Sequence, residues 1–135
     1  MTPPSFFTAS LYVALGGGLG AWLRYLTALA WSRAIGTVAS GAYPWATLSV
    51  NAVGSLLMGL LTGWLLRHGD QGEGWRLLLG VGVLGGFTTF SAFSLELVQM
   101  IERGQLGSAL LYTALSLLLG VAALFAGLAI LRVAA

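Results

Sequence analysis

The sequence predicts an all-α membrane protein, a single domain over residues 1–135 with four transmembrane helices. The 135 residues are 58% hydrophobic and 7% charged, with a mean hydropathy of +0.91. That is too little charge to cover a water-exposed surface. Short polar stretches divide the chain into four long apolar runs. These runs do not alternate polar and apolar residues, as the strands of a membrane barrel do.

Each run is long enough to cross a bilayer, which takes about 20 apolar residues. The spans are expected at about residues 6–28, 45–66, 76–100 and 105–131. Residues 33–44 are predicted as a loop because they contain Gly36 and Pro44, and residues 67–74 as a water-exposed turn. Met1–Ser5 lacks the basic residues that precede a cleavable signal peptide, so the first run is expected to stay as a helix.

Several function classes are excluded by composition. The chain has no cysteine, so it can form no disulfide, thiolate nucleophile or cysteine-based metal site. The six basic residues are dispersed arginines that form no basic stripe, which argues against nucleic-acid binding. The single histidine, His68, lies in the charged turn and is expected to be solvated. With no acid–base pair inside the membrane, an enzyme is not expected.

The arginines are almost evenly divided between the two sides of the predicted bundle. The side of the termini holds Arg67, Arg76 and Arg132, and the opposite side holds Arg33 and Arg103, with Arg24 if it lies near that surface. Membrane orientation follows an imbalance of basic residues between loops. This chain could therefore insert in either orientation, as an antiparallel homodimer would require.

Small residues recur at four-residue intervals in the first two helices. Gly16 and Gly20 form one such pair, and Ser55, Gly59 and Gly63 form a series. Small residues let helix backbones approach closely in lipid. The pattern predicts tight helix packing, including packing against a second copy of the chain.

Polar residues line up on faces that lipid would not tolerate. The second helix carries Thr47, Asn51 and Ser55 on one face, and the fourth carries Ser108, Tyr112 and Ser116 on another. The third helix contains Thr88, Thr89, Ser91, Ser94 and Glu96. Serine and threonine can bond a carbonyl one turn back. The amide of Asn51 cannot do so as easily, and it either joins two helices or lines a pore.

The centre of the third span is expected to leave helical geometry near Gly85–Thr89. Glycine costs about 1 kcal/mol relative to alanine in a helix interior, and Gly80, Gly82, Gly85 and Gly86 occur together just before two threonines. Exposed carbonyls at a break can hold a cation, and freed N–H groups can face an anion. Close packing alone is the other interpretation of these glycines.

Phe90 and Phe93 follow the expected break and share one helix face. They are either ordinary lipid-facing or core residues, or they present their positive ring edges to an anion.

These residues resemble a known family. The run Gly82–Glu96, GVLGGFTTFSAFSLE, resembles the signature GxxGGxTTFSTFSxE of the CrcB/Fluc fluoride channels. Gly16–Tyr25, GGGLGAWLRY, is similar to the first-helix segment GGxxGAxxRY, and Thr47–Ser55, TLSVNAVGS, to the second-helix motif TLxxNxxGS. Tyr112 and Ser116 fall at the polar positions of the fourth helix. The motifs come in order, one for each helix, and cover nearly the whole chain.

The resemblance implies a fold and a function. Such proteins are antiparallel, dual-topology homodimers in the cell (inner) membrane, with two pathways that let fluoride leave the cytoplasm passively and so protect against its toxicity. The expected partners are a second copy, fluoride and membrane lipid. The implied fluoride pathway comprises Asn51, Thr89, Phe90, Ser91, Phe93, Glu96, Tyr112 and Ser116, with Arg24 near the entrance. A structural Na⁺ at the dimer interface would be held by the backbone carbonyls of Gly85 and Thr88 from both subunits.

The chain departs from the family pattern at a few positions. Ala92 stands where threonine is usual, Gly120 where some relatives carry a serine, and Leu84 and Phe87 replace other apolar residues. Two other functions remain as alternatives. A small multidrug-type, proton-coupled exporter needs a membrane acid, for which Glu96 is the candidate, but such exporters carry that acid in the first helix. A non-transporting scaffold would need no broken helix with clustered donors.

Overall fold

The computed structural model describes residues 4–68 and 72–133. Within these ranges the order of elements is α1 (Phe6–Ile35), α2 (Thr37–Ala42), α3 (Trp45–His68), α4 (Glu73–Trp75), a π-helical segment (Arg76–Leu84), α5 (Gly85–Phe87), α6 (Phe90–Glu102) and α7 (Leu106–Val133). Four helical stretches in this part of the chain are long and apolar enough to span a membrane: Phe6–Ile35, Trp45–His68, Glu73–Glu102 and Leu106–Arg132. The predicted fold class, a four-span helical membrane protein, is confirmed.

The first helix is longer than the predicted span of residues 6–28. It continues to Ile35, and Arg33 lies in the last turn, where a cation interacts favourably with the helix dipole. Gly36 then ends it with a φ of 81°, a conformation that favours glycine.

The loop predicted at residues 33–44 is wrong over most of its length. Besides the end of α1, it contains the short helix α2, which runs from Thr37 to Ala42 until Tyr43 turns extended ahead of Pro44. A proline disfavours helical geometry in the residue before it. In the predicted turn at residues 67–74, Arg67 and His68 end α3 and Glu73 begins α4, while residues 69–71 lie outside the described ranges.

The third span is not a continuous α-helix. Its first half is a π-helix of nine residues, Arg76–Leu84, wider than an α-helix and frequent at functional sites. After the short α5, the chain leaves helical geometry at Thr88 (φ −79°, ψ 159°) and Thr89 (φ −153°, ψ 123°). The interruption falls at the carboxyl end of the interval predicted to break, and α6 completes the span.

Glycines bring the helices together in two pairs. A Cβ at Gly16, Gly20 or Gly86 would overlap backbone atoms across the contact of α1 with the π-helical segment and α5. A Cβ at Gly59 or Gly127 would likewise overlap backbone across the contact of α3 with α7. The small-residue series therefore serves packing within one chain.

Much of the remaining surface is apolar and exposed. In the four spans, the buried share of the most hydropathic window ranges from 6% to 28%. The described core is a small cluster at the end of the bundle where α3 begins and α6 ends, consisting of Leu48, Phe93, Met100, Ala109 and Tyr112. The apolar exterior is what a protein surrounded by lipid requires.

Candidate functional site

The break in the third span is held by one side chain of α3. The amide nitrogen of Asn51 donates to the carbonyl of Thr89 at 3.1 Å. The amide oxygen of Asn51 accepts from the Thr89 N–H at 2.8 Å. Thr89 is buried, so its peptide groups need partners to avoid a large desolvation cost. Asn51 thus satisfies both backbone groups of the residue that interrupts the helix.

Two carbonyls beside the break lose their usual helical donors. In an uninterrupted helix, the Thr89 N–H would donate to the carbonyl of Gly85, four residues earlier, but it donates to Asn51 instead. The Ala92 N–H would likewise donate to the Thr88 carbonyl, but it donates at 3.2 Å to the hydroxyl of Thr89, which caps α6. Gly85 and Thr88 are the two residues that the family resemblance assigns to a sodium ion.

A groove of about 280 Å³ lies beside the break. It is lined by Asn51, Gly54, Ser55, Met58, Thr88, Thr89, Phe90 and Leu124. The groove brings together three residues of the predicted pathway from two helices, namely Asn51, Thr89 and Phe90. The hydroxyl of Ser91 lies 3.3 Å from that of Thr89 at its edge.

The two phenylalanines after the break are neighbours with different surroundings. Their ring centroids are 5.7 Å apart, with the planes tilted by 39°. Phe90 is 79% exposed at the groove, whereas Phe93 is 9% exposed. Phe93 lies against Tyr112 of α7, with ring centroids 5.1 Å apart. One ring therefore borders open space and the other belongs to the core.

Glu96 joins three helices through its carboxylate. Thr47 of α3 donates to one carboxylate oxygen at 2.6 Å, and Tyr112 of α7 donates to the other at 2.8 Å. Both donors are buried. Glu96 and Tyr112 are among the predicted pathway residues, whereas Thr47 is not. Its position on the same face as Asn51 was the available signal.

The described part of the chain contains no group of three His, Asp or Glu side chains that could hold a metal ion. A cation bound here would take backbone or hydroxyl oxygens. The released carbonyls of Gly85 and Thr88 are of that kind, and unwound backbone carbonyls are known ligands for sodium in membrane proteins. The donor set fits the ion.

Comparison with known proteins shows the family of this chain. The family described as "CrcB-like protein, Camphor Resistance (CrcB)" matches residues 11–128. This chain belongs to the CrcB-like family. A relative from Novosphingobium aromaticivorans is 54% identical over 130 residues, covering 93% of this chain and 97% of its own length. Another relative, from Erythrobacter litoralis, is 53% identical over 132 residues, covering 96% of this chain and 95% of its own length. A third, from Caulobacter sp., is 54% identical over 126 residues, covering 93% of this chain and 95% of its own length.

All three relatives are named "Fluoride-specific ion channel FluC". The resemblance to the CrcB/Fluc family is therefore confirmed. Together with the four apolar helices, membership identifies a multi-pass membrane protein.

Other predicted residues of this CrcB-like chain lie outside the groove. The hydroxyl oxygen of Ser116 is buried, and within residues 4–68 and 72–133 it has no hydrogen-bond partner. A Cβ at Gly120 would lie 3.6 Å from the hydroxyl of Ser55, so this departure leaves room beside the groove. Arg24 is half-buried on α1, about 16 Å along the helix from Ile35 by the helical rise.

Proposed function

We propose that this protein is a fluoride-selective ion channel through which fluoride leaves the cytoplasm passively. The observation that carries the proposal is the break of the third span at Thr88–Thr89. Asn51 bonds both backbone groups of Thr89 there, and Phe90 borders the adjacent groove. Irregular backbone at membrane depth is tolerated where it is buried or lines a wet cavity. The relatives, about half identical over nearly their whole length, carry the name of such a channel.

Fluoride in a membrane must exchange its water for protein donors. At the groove, Asn51 uses one amide hydrogen for the Thr89 carbonyl, and its second hydrogen is available to an anion. The hydroxyl of Ser55 and the edge of the Phe90 ring border the same space, and ring edges carry partial positive charge. Several weak donors of this kind bind an anion without holding it too tightly to leave. Ser91, Phe93, Glu96, Tyr112 and Ser116 continue the proposed pathway.

A structural sodium ion would be held by the carbonyls of Gly85 and Thr88. Support comes from the diversion of their helical donors to the side chains of Asn51 and Thr89. When bound, such an ion supplies a fixed positive charge that makes the neighbouring space more favourable for anions. Asn51 has a second role in this arrangement, since it keeps the Gly85 carbonyl free while satisfying Thr89.

The proposed assembly is an antiparallel, dual-topology homodimer in the inner membrane. The nearly equal division of arginines between the two sides removes the usual bias in insertion. Phe90 is 79% exposed in one copy and borders a groove that is open to the outside of the protomer. A second copy would close the groove and, with its own break, complete the set of carbonyls around the cation.

The proton-coupled multidrug exporter has no support among the relatives, which are named ion channels. Its required acid would have to be Glu96, and both carboxylate oxygens of Glu96 accept hydroxyl bonds that join helices. The carboxylate thus has a structural position, and a second candidate function is not retained.

The proposal is tested with purified protein in liposomes loaded with potassium fluoride. A fluoride electrode should record rapid efflux once valinomycin relieves the charge imbalance, and liposomes loaded with chloride should release almost none. A pH gradient should drive no fluoride accumulation against its concentration gradient. Protein vesicles that retain fluoride as protein-free vesicles do would refute the channel, and accumulation driven by pH would identify an exchanger.

Assembly is tested separately by introducing one cysteine, at Ser108 or at Thr37, into this cysteine-free chain. With a dual-topology population, an impermeant maleimide should label about half of the chains in intact cells, and the other half only after the cells are permeabilised. Labelling from one side only would reject the antiparallel dimer and leave fluoride transport untouched.

A further inference from the structure

Tyr43 has a buried hydroxyl that the proposed pathway does not use. The residue lies between α2 and α3, just before Pro44. Its hydroxyl oxygen is buried and has no hydrogen-bond partner within the described ranges, residues 4–68 and 72–133. Buried hydroxyls in native proteins nearly always have a partner, and an exception indicates a bound water, ion or ligand.

The Tyr43 ring is held firmly beside the polar layer around Glu96. Its centroid lies 4.6 Å from that of Trp45 and 5.7 Å from that of Tyr112, in an edge-to-face arrangement with 74° between the planes. The ring also packs against the core cluster that contains Phe93. These contacts fix the side chain next to the residues proposed to conduct fluoride, at the end of the bundle where α3 begins.

The chemistry of the phenol suits an anion. Burial raises the pKa of Tyr43, so the group stays protonated and can donate. The hydroxyls of Thr47 and Tyr112 already donate to Glu96, whereas the proton of Tyr43 is uncommitted among the described residues. Both oxygens of the neighbouring Glu96 carboxylate are covered by those hydroxyls, which reduces its repulsion of a nearby anion.

We infer that the Tyr43 hydroxyl is an additional fluoride-binding donor at the mouth of the pathway, outside the layer formed by Thr47, Glu96 and Tyr112. The inference rests on the proposed function, because it assigns a donor to the same pathway. Fluoride arriving from water would exchange one water molecule for this phenol before reaching the deeper hydroxyls. A donor at the mouth speeds entry by making the first dehydration step less costly.

The test compares Tyr43→Phe with Tyr12→Phe and the unchanged protein. Tyr12 is a matched control because it lies on α1 near Gly74, at the opposite end of the bundle. Fluoride efflux from liposomes is measured over a range of internal fluoride concentrations, and the melting temperature is measured in detergent. Tyr43→Phe should lower the efflux rate at low fluoride about three- to tenfold, the effect of losing one hydrogen bond to the ion. Its melting temperature should match or exceed that of the unchanged protein, because no bond within the protein is lost.

The outcomes distinguish a failure of this inference from a failure of the proposed function. If the unchanged protein conducts and Tyr43→Phe conducts equally well, the hydroxyl holds only a water molecule and the inference is wrong. If Tyr43→Phe loses stability in step with efflux, the hydroxyl has a structural partner and the inference is also wrong. If the unchanged protein fails to conduct, the proposed function itself has failed. A slow but stable Tyr43→Phe beside a normal Tyr12→Phe supports the donor.

Discussion

Replacing Asn51 with leucine tests the bond that holds the break open. Leucine has the same number of side-chain heavy atoms and the same branching as asparagine, but it can neither donate nor accept a hydrogen bond. The substitution removes the partners of the Thr89 N–H and carbonyl, bonded at 2.8 Å and 3.1 Å. Each buried backbone group left without a partner costs about 1–3 kcal/mol, so the pair costs about 2–6 kcal/mol. Water in the adjacent groove can reach these groups, which brings the expected loss to about 2–3 kcal/mol.

For a chain of this size, 1 kcal/mol corresponds to about 4 °C in melting temperature, so Asn51→Leu should melt about 8–12 °C lower. The measurement is thermal unfolding followed by circular dichroism in one detergent at one protein concentration, with fluoride efflux measured in parallel. Efflux should be lost, because the break loses its fixed geometry and the groove loses an amide donor.

Thr27→Val is the matched control for this experiment. The Thr27 hydroxyl bonds the carbonyl of Leu23 within its own helix, so its removal leaves no group stranded in a second helix. The control should shift the melting temperature by less than about 2 °C. An Asn51→Leu protein that melts within 2 °C of the original and still conducts fluoride would refute the role assigned to this amide.

The remaining predictions concern the rings and the acid. Phe90→Ile and Phe93→Ile should each reduce fluoride efflux at least about tenfold. Only Phe93→Ile should also lower the melting temperature, because Phe93 is buried and Phe90 is exposed. The control Phe125→Ile, on an exposed part of α7, should change neither measurement, and normal efflux from both pathway variants would contradict the ring-edge contact with fluoride. Glu96→Gln retains only one carbonyl acceptor for two hydroxyl donors, so thermal unfolding should show a loss of about 1–2 kcal/mol of stability. The exposed control Glu102→Gln should lose none. Equal stabilities of the two variants would contradict the helix-joining role of Glu96.

The number and nature of the spans could be predicted because hydropathy is a local property. The break was predictable because glycines and threonines at Gly85–Thr89 weaken the helix on their own. For Asn51, the sequence left two alternatives, a hydrogen bond that joins two helices or a position lining a pore. In the structure Asn51 both bonds Thr89 and borders the groove. The role of such a side chain depends on which helix packs beside it, and a local sequence pattern does not specify the neighbouring helix.

The missed features all depend on distant residues or on backbone detail. Thr47 gains its importance from Glu96, 49 positions away in the chain, and Tyr43 from its packing against Tyr112. The helix α2 was missed because Gly36 was interpreted as part of a loop, whereas it separates two helices. The π-helical geometry of Arg76–Leu84 has no simple sequence signal, since the same glycines are compatible with an ordinary α-helix.

The contact of α1 with the π-helical segment is made by main chain on both sides, at Gly16 and Gly82. A main-chain contact has no side-chain rotamers to readjust, so the first helix holds the first half of the third span rigidly. The position of the interruption relative to the first helix is therefore set by main-chain packing at these glycines. The rings and hydroxyls that follow the interruption lie outside this main-chain contact, so substituting them need not shift the two helices.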